Sequence, residues 1–182
     1  MPDSPSRDSR SRDSQSRDGR SRDSRSAGEG DGQAGAAVAR RRHWMAVLAR
    51  ASHPDMLAGL QRLGGLPNYT RLRGPEAGLV MVRGRAGGGG APFNLGEMTV
   101  TRCSVRTDAG IVGHAYVAGR DELQAELAAV ADAILQDPGR TDAVWAGLIV
   151  PLHAAQADQR RAVDAKAGAT KVDFFAMRTM RT

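Results

Sequence analysis

Hydrophobic and polar positions divide the chain into two parts near residue 39. Between Met1 and Val38 the chain has no large apolar residue, whereas apolar positions recur at helix-like and strand-like spacings from Arg40 onwards. A segment without large apolar side chains buries too little surface to offset the conformational entropy that it loses on ordering. The pattern therefore predicts a disordered low-complexity tail over residues 1–39 and a single folded domain over residues 40–182.

Helical spacing marks both ends of the predicted domain. A first helix is indicated by apolar residues three and four apart, at Trp44, Val47, Leu48 and Ala51. Ser52 predicts the N-cap of a second helix, with Asp55 three residues later completing a capping box. Further helices are predicted over residues 121–136 and from Thr141, and Pro151 is expected to kink or end the latter. A largely exposed helix is expected over residues 157–168.

The middle of the domain has strand-like patterns. Four short segments are rich in β-branched and apolar residues: YTRLRG (69–74), GLVMVRGR (78–85), GEMTVTRCSVR (96–106) and IVGHAYV (111–117). Residues 107–110 join the last two segments, and their sequence is typical of a β-hairpin turn. Because residues 79–82 are apolar on both faces of the pleat, we expect this strand to be central and covered on both sides. The predicted fold class is α+β, an antiparallel sheet of about four strands flanked by N-terminal and C-terminal helices.

Charge is distributed unevenly between the two parts. The chain of 182 residues has a formal net charge of +6. Four five-residue units of the type SRDSR fill residues 6–25, and residues 1–39 contain seven arginines and seven acidic residues. The tail is therefore neutral overall, so the counterion release that drives nucleic-acid binding is weak there and a solvated spacer is favoured. The positive charge belongs to residues 40–182, where it favours an anionic partner.

Composition also excludes several classes of protein. One cysteine excludes an intrachain disulfide framework and any cysteine-only zinc or iron–sulfur site. The longest strongly apolar run, at Leu148, Ile149 and Val150, is far too short to span a bilayer. The N-terminus has no apolar stretch typical of a secretory signal. We expect a cytoplasmic protein without a membrane partner.

A glycine run between two predicted strands is the first candidate site. Backbone N–H groups of such a loop bind anions in some proteins, and neighbouring arginines bind phosphate in a bidentate way. The alternatives are a flexible loop and a solvated or interface-facing strand edge. The run is not a phosphate-binding P-loop, because Ala91 and Pro92 follow it where Lys and Ser or Thr are required. The candidate phosphate- or partner-binding residues are Arg83, Arg85, Gly87, Gly88, Gly89, Gly90 and Arg102.

Residues for metal binding or nucleophilic catalysis are not arranged in a recognisable pattern. None of the four histidines has a second histidine at a metal-ligand spacing, and His114 is interpreted as a packed strand residue. Cys103 is interpreted as a small core residue, and Glu76 and Glu97 have no evident acid–base partner. We therefore assign no catalytic and no metal-binding residue, and the residues indicate a binding or scaffolding subunit.

The order of several short motifs resembles one known family. EAGLVMVRGRAGGGGAPFNLGEMTVTRCSVR at 76–106 is followed by GRD at 119–121, an Ala-Glu pair at 125–126 and VDFF at 172–175, after the opening HWMAVLARA at 43–51. This ordered set is similar to the PhnG family, the G subunit of the bacterial carbon–phosphorus lyase system. The resemblance covers residues 40–182 and leaves out the tail. Gly89 and Gln124 stand where the family often has Thr and His, so neither position is given a catalytic role.

The resemblance implies a subunit of a phosphonate-degrading complex. Its expected partners are the H, I and J subunits, with the K and L proteins as further possible partners. In this pathway a phosphonate displaces adenine from ATP to give α-D-ribose 1-phosphonate 5-triphosphate, with the chemistry centred on the I subunit. The J subunit then uses an iron–sulfur cluster with S-adenosylmethionine, so this chain alone is expected to bind no cofactor.

Three hypotheses follow for the chain itself. The first is an accessory subunit without a self-sufficient catalytic site, with Trp44, Phe174 and Phe175 as interface anchors. The second is a stand-alone phosphate- or nucleotide-binding domain that uses the glycine loop and its arginines. The third, RNA binding through the tail, is disfavoured by the tail's zero net charge.

Overall fold

The computed structural model describes residues 24–85 and 90–171, with side chains from residue 32 onwards. The chain divides into two units, Met1–Val38 and Ala39–Thr182, and the features below lie in the second. In chain order the elements are α1 (Ser24–Leu48), α2 (His53–Arg62), β1 (Tyr69–Gly84), β2 (Phe93–Thr107), β3 (Val112–Ala118), α3 (Glu122–Leu135), α4 (Thr141–Val144), a π-helical turn (Trp145–Ile149) and α5 (Val150–Ala169). The α+β class is confirmed.

The sheet has three antiparallel strands in the order β1-β2-β3 among the described residues. The first two predicted strands are one long strand, β1, instead of two. Its register against β2 shifts between Arg71 and Arg73 and again between Arg73 and Glu76. These irregularities surround Pro75, which lacks the N–H that a sheet ladder needs and is tolerated because β1 is an edge strand. Gly74 and Pro75, which interrupt the strand-like sequence pattern, therefore lie at an irregularity within one strand.

Helix α3 forms the centre of the core. Residues 125–135 are all buried, because α3 lies between one face of β2 and β3 and the helices around it. Gly113 of β3 makes this close packing possible: a Cβ there would lie 2.0 Å from the carbonyl oxygen of Ala129. The core is completed by apolar residues from the other elements, which include Trp44, Val47, Leu48, Met56, Leu60, Cys103, Val105, Ala115, Val117, Val144, Leu148 and Ile149.

Local sequence signals for helix ends and turns are confirmed. Ser52 caps α2, and its hydroxyl accepts a hydrogen bond of 3.3 Å from the backbone N–H of Asp55. The hairpin turn between β2 and β3 closes with a hydrogen bond of 2.8 Å from the N–H of Gly110 to the carbonyl of Thr107. Gly110 has a φ of 80°, which glycine adopts without strain.

Two helices differ in extent from the sequence prediction. Helix α1 begins at Ser24, within the predicted tail, and residues 1–23 of that tail lie outside the described part. Residues 32–40 are exposed, so this part of α1 rests on the helix propensity of its alanines and not on packing. Pro151 does not end the helical run from Thr141 to Ala169. A π-helical hydrogen bond from the N–H of Val150 to the carbonyl of Trp145 widens the turn before the proline.

Candidate functional site

The ends of β1 and β2 form a two-stranded ribbon that we call the hairpin arm, residues 79–84 and 93–99. Strand β3 pairs with β2 only as far as Val100, so beyond that point the two strands of the arm pair only with each other. The arm carries six large apolar side chains that are between 38% and 65% exposed: Leu79, Val80, Met81, Phe93, Leu95 and Met98. Contiguous exposed apolar surface of this kind marks interaction sites.

The arm is apolar on both faces of the pleat. Leu79 and Met81 lie on one face, and Val80 lies on the other face opposite Met98. The prediction that this strand is central and covered on both sides is wrong for the described chain: Leu79 is 65% exposed and Met81 57%. The two-sided pattern is typical of strands buried on both faces. The arm therefore combines the sequence pattern of a strand buried on both faces with exposed apolar side chains.

A second surface, on the side of the sheet opposite α3, is polar. Alternation along β2 directs Cys103 and Val105 towards α3 and leaves its even-numbered neighbours on the other side. The register places residues of β1 and β3 beside them. We call this set the open-face cluster: Arg73, Glu76, Arg102, Ser104, Arg106, His114 and Tyr116.

Two arginines of the open-face cluster converge on one carboxylate. Oε1 of Glu76 lies 2.6 Å from Nε of Arg102 and 2.8 Å from Nε of Arg73. The hydrogen bond and the charge of Glu76 raise the pKa of Arg102, with a smaller contribution from the Tyr116 hydroxyl. In the neighbouring row, Oγ of Ser104 lies 2.9 Å from Nδ1 of His114. His114 is exposed, so its interpretation as a packed strand residue is wrong.

The predicted phosphate-binding residues are not all brought together. Arg83 lies near the end of β1 and Arg85 just beyond it, both exposed, and Gly90 has a φ of 107°. Gly87, Gly88 and Gly89 lie outside the described residues. Arg102 pairs across the sheet with Glu76, seven residues before Arg83 in β1. At about 3.3 Å per residue this is roughly 23 Å of strand, so Arg102 belongs to the open face.

The predicted interface anchors have different outcomes. Trp44 is only 5% exposed, and its Nε1–H donates a hydrogen bond of 2.8 Å to Asp132. It is therefore a core residue and not an exposed anchor, because a buried indole needs an acceptor and α3 supplies one. Phe174 and Phe175 lie outside the described residues, and their role stays a prediction.

Two buried carboxylates on α3 were not identified from the sequence as structural residues. Asp132 is fully buried and accepts hydrogen bonds from Arg41 and from the backbone N–H of His114, as well as from Trp44. Glu126 is 6% exposed and accepts two hydrogen bonds from Arg71, of 2.7 and 2.8 Å, and a third from the Tyr69 hydroxyl. These partners belong to α1, β1 and β3, so the two carboxylates tie α3 to its neighbours.

The single cysteine lies in the core of the domain. Cys103 is buried, and that burial raises the pKa of its thiol, as does the charge of Glu126. Within residues 24–85 and 90–171, histidine, cysteine and acidic side chains form no group of three or more that is arranged to hold a metal ion. In that same part of the chain, no helix combines the length and apolarity needed to cross a bilayer.

Comparison with known proteins identifies the family. Residues 39–179 match the family described as "Phosphonate metabolism protein PhnG". The chain is 44% identical over 142 residues to the "Alpha-D-ribose 1-methylphosphonate 5-triphosphate synthase subunit PhnG" of Rhizobium meliloti (strain 1021), an alignment that covers 78% of this chain and 90% of the relative. The family match spans the sheet, the core helices and the hairpin arm described above. The chain belongs to the PhnG family of phosphonate metabolism proteins.

Proposed function

We propose that the chain is an accessory subunit of an α-D-ribose 1-methylphosphonate 5-triphosphate synthase, and that the hairpin arm docks on the I subunit of that complex. The name of the Rhizobium relative supports the first part, because it describes a synthase subunit. In the proposed complex, the I subunit is the centre of the step in which a phosphonate displaces adenine from ATP. The H subunit and the J subunit, with its iron–sulfur cluster and S-adenosylmethionine, are further proposed partners.

The exposed apolar side chains of the hairpin arm are the observation that carries this proposal. Fully burying one such side chain is worth about 1.5–3 kcal/mol, so six half-exposed ones offer roughly 5–9 kcal/mol. Association costs at least about 4 kcal/mol in lost translational and rotational freedom. Because this cost offsets much of the apolar gain, the arm would form the apolar centre of an interface that also needs polar contacts around it. An apolar ribbon left in water would favour aggregation, which a covering partner prevents.

Co-expression with the H and I subunits tests the proposal. The full chain is tagged and purified, and the H and I subunits are expected to co-purify in stoichiometric amounts. The double variant Leu79→Asp/Met81→Asp places two charges in the apolar centre of the arm and is expected to lose the I subunit. Because both side chains are exposed, the variant should unfold at the same temperature as the wild type.

A matched control variant shows whether loss of the I subunit depends on the arm or follows from charges placed on any exposed apolar side chains. Leu123 and Val163 are 59% and 58% exposed on α3 and α5, away from the sheet. Leu123→Asp/Val163→Asp makes the same change in charge at side chains of similar fractional exposure and should retain the I subunit. Failure of the wild type to co-purify contradicts the subunit assignment, whereas retention of the I subunit by the arm variant contradicts the docking surface alone.

A further inference from the structure

The open-face cluster has a surplus of positive charge. It contains three arginines against one carboxylate, Glu76, whose closest contacts with Arg73 and Arg102 both use the Nε atoms. A guanidinium has five N–H donors, so an Nε contact uses one of them, and Arg102 also has a side-chain hydrogen bond with Tyr116. Arg106 is exposed and has no ion pair within the described part of the chain.

The spacing of these groups suits an extended anion. Arg102 and Arg106 lie on the same side of β2, four residues apart, which is about 13 Å along the strand. Ser104 lies between them, flanked by Arg73 on β1 and His114 on β3. The Ser104 hydroxyl and the His114 ring add hydrogen-bonding groups in the middle of the row. A single phosphate would reach one end of this row, whereas a chain of phosphates reaches along it.

We propose that the open-face cluster is a binding site for a polyphosphate chain, with Arg73 and Arg102 as its principal ligands. The site is separate from Arg83 and Arg85, which lie at and just beyond the far end of β1. It goes beyond the proposed function because it assigns an anionic ligand to this chain itself. Glu76 occupies the two arginines in the free protein and competes with the ligand for them.

Titration of the full chain with inorganic tripolyphosphate tests the site by isothermal calorimetry. The wild type is expected to bind one tripolyphosphate in a saturable way at low ionic strength. Arg73→Gln/Arg102→Gln should weaken binding about tenfold or more, because each arginine contributes a charge-assisted hydrogen bond. Arg83→Gln/Arg85→Gln removes the same charge at the end of the arm and should leave the affinity within about twofold.

The variant Glu76→Gln distinguishes the site from a merely structural salt bridge. Removing the competing carboxylate should tighten tripolyphosphate binding by about fivefold, since one unit charge at about 4 Å near water has an interaction of this size. Glu97→Gln, an exposed position on the opposite side of β2, makes the same change in net charge and should have little effect.

Three results would overturn the proposal. The first is no saturable binding by the full chain, and the second is equal weakening by the Arg73/Arg102 and Arg83/Arg85 double variants. The third is a Glu76→Gln variant that binds no more tightly than Glu97→Gln. Co-purification of the partner subunits with each variant is measured in parallel, so a failed anion site and a failed subunit assignment give different results.

Discussion

Replacement of Asp132 by Asn provides the sharpest test of how the core is held together. The Asp132 carboxylate is fully buried and accepts hydrogen bonds from Nη2 of Arg41 at 2.7 Å and from Nε1 of Trp44 at 2.8 Å. The backbone N–H of His114 donates to the same carboxylate at 2.9 Å, and the Gln136 amide does so at 3.2 Å. One side chain therefore joins α1, α3 and β3.

The expected loss follows from the donors that surround the carboxylate. An Asn amide supplies one acceptor oxygen and one NH₂ donor, so at least one of the surrounding donors faces another donor inside the core. Removing one partner of a buried charge pair costs about 3–5 kcal/mol. Arg41 is 35% exposed and regains some hydration, which favours the lower end. We expect Asp132→Asn to lower the free energy of unfolding by about 3 kcal/mol, out of a typical 5–15 kcal/mol for a domain.

The adjacent arginine offers a matched control. Arg40 pairs with Asp142 at 2.9 Å, but the Asp142 side chain is 93% exposed. Exposed pairs contribute about 0–1 kcal/mol, so Asp142→Asn should cost less than about 1 kcal/mol. Urea denaturation followed by circular dichroism gives both values from the midpoints, with an unchanged slope as the condition for comparing them. Equal costs for the two variants would refute the reasoning.

The remaining predictions concern the same core and use the same denaturation assay, a titration or the rate of a thiol reaction. Gly113→Ala is expected to cost about 3 kcal/mol or more, because the added Cβ overlaps the α3 backbone, whereas Gly74→Ala, with open space around it, should be nearly neutral. Burial tends to raise the pKa of Glu126, but hydrogen bonds from Arg71 and Tyr69 and the Arg71 charge together lower it below 4.5. Its contribution to stability is therefore present above pH 4.5 and lost as the pH falls through the folded-state pKa, and Glu126→Gln should flatten the acid limb of stability against pH. Burial, then the Glu126 hydrogen bond, raise the pKa of Tyr69 to about 12, so a phenol ionisation near pH 12 should disappear in Tyr69→Phe. The thiol of Cys103, buried and with a raised pKa, should react with thiol reagents far more slowly in the native protein than in urea.

Features set by a few neighbouring residues could be predicted from the sequence. The Ser52 cap, the turn closed by Gly110 and the start of α3 after Asp121 depend on local hydrogen bonds, and all three are observed. The α+β order of helices, sheet and helices follows from the same local periodicities. The burial of Cys103 also follows from the alternation along β2.

Features set by long-range pairing could not be predicted in this way. The open-face cluster depends on the register of β1 against β2, and two irregularities near Pro75 decide that Glu76 faces Arg102. One sequence feature does indicate long-range pairing: Glu126 and Asp132 interrupt an otherwise apolar stretch of α3 that is buried on all sides. Buried acids require paired donors, so arginines in neighbouring elements were the partners to look for.

The exposure of residues 79–81 shows that an apolar pattern indicates a surface suited to being covered, but does not indicate which molecule covers it. Before the arm begins, β1 is fixed on both faces: Arg71 binds Glu126 of α3, and Glu76 binds Arg102 of β2 on the open side. A free two-stranded ribbon is marginal in water, so we expect these two contacts to support the pairing of the arm. Glu126→Gln, which removes the ion pair with Arg71, should therefore weaken docking because the arm becomes less ordered. Leu79→Asp/Met81→Asp should weaken docking by changing the interface itself, with the fold intact.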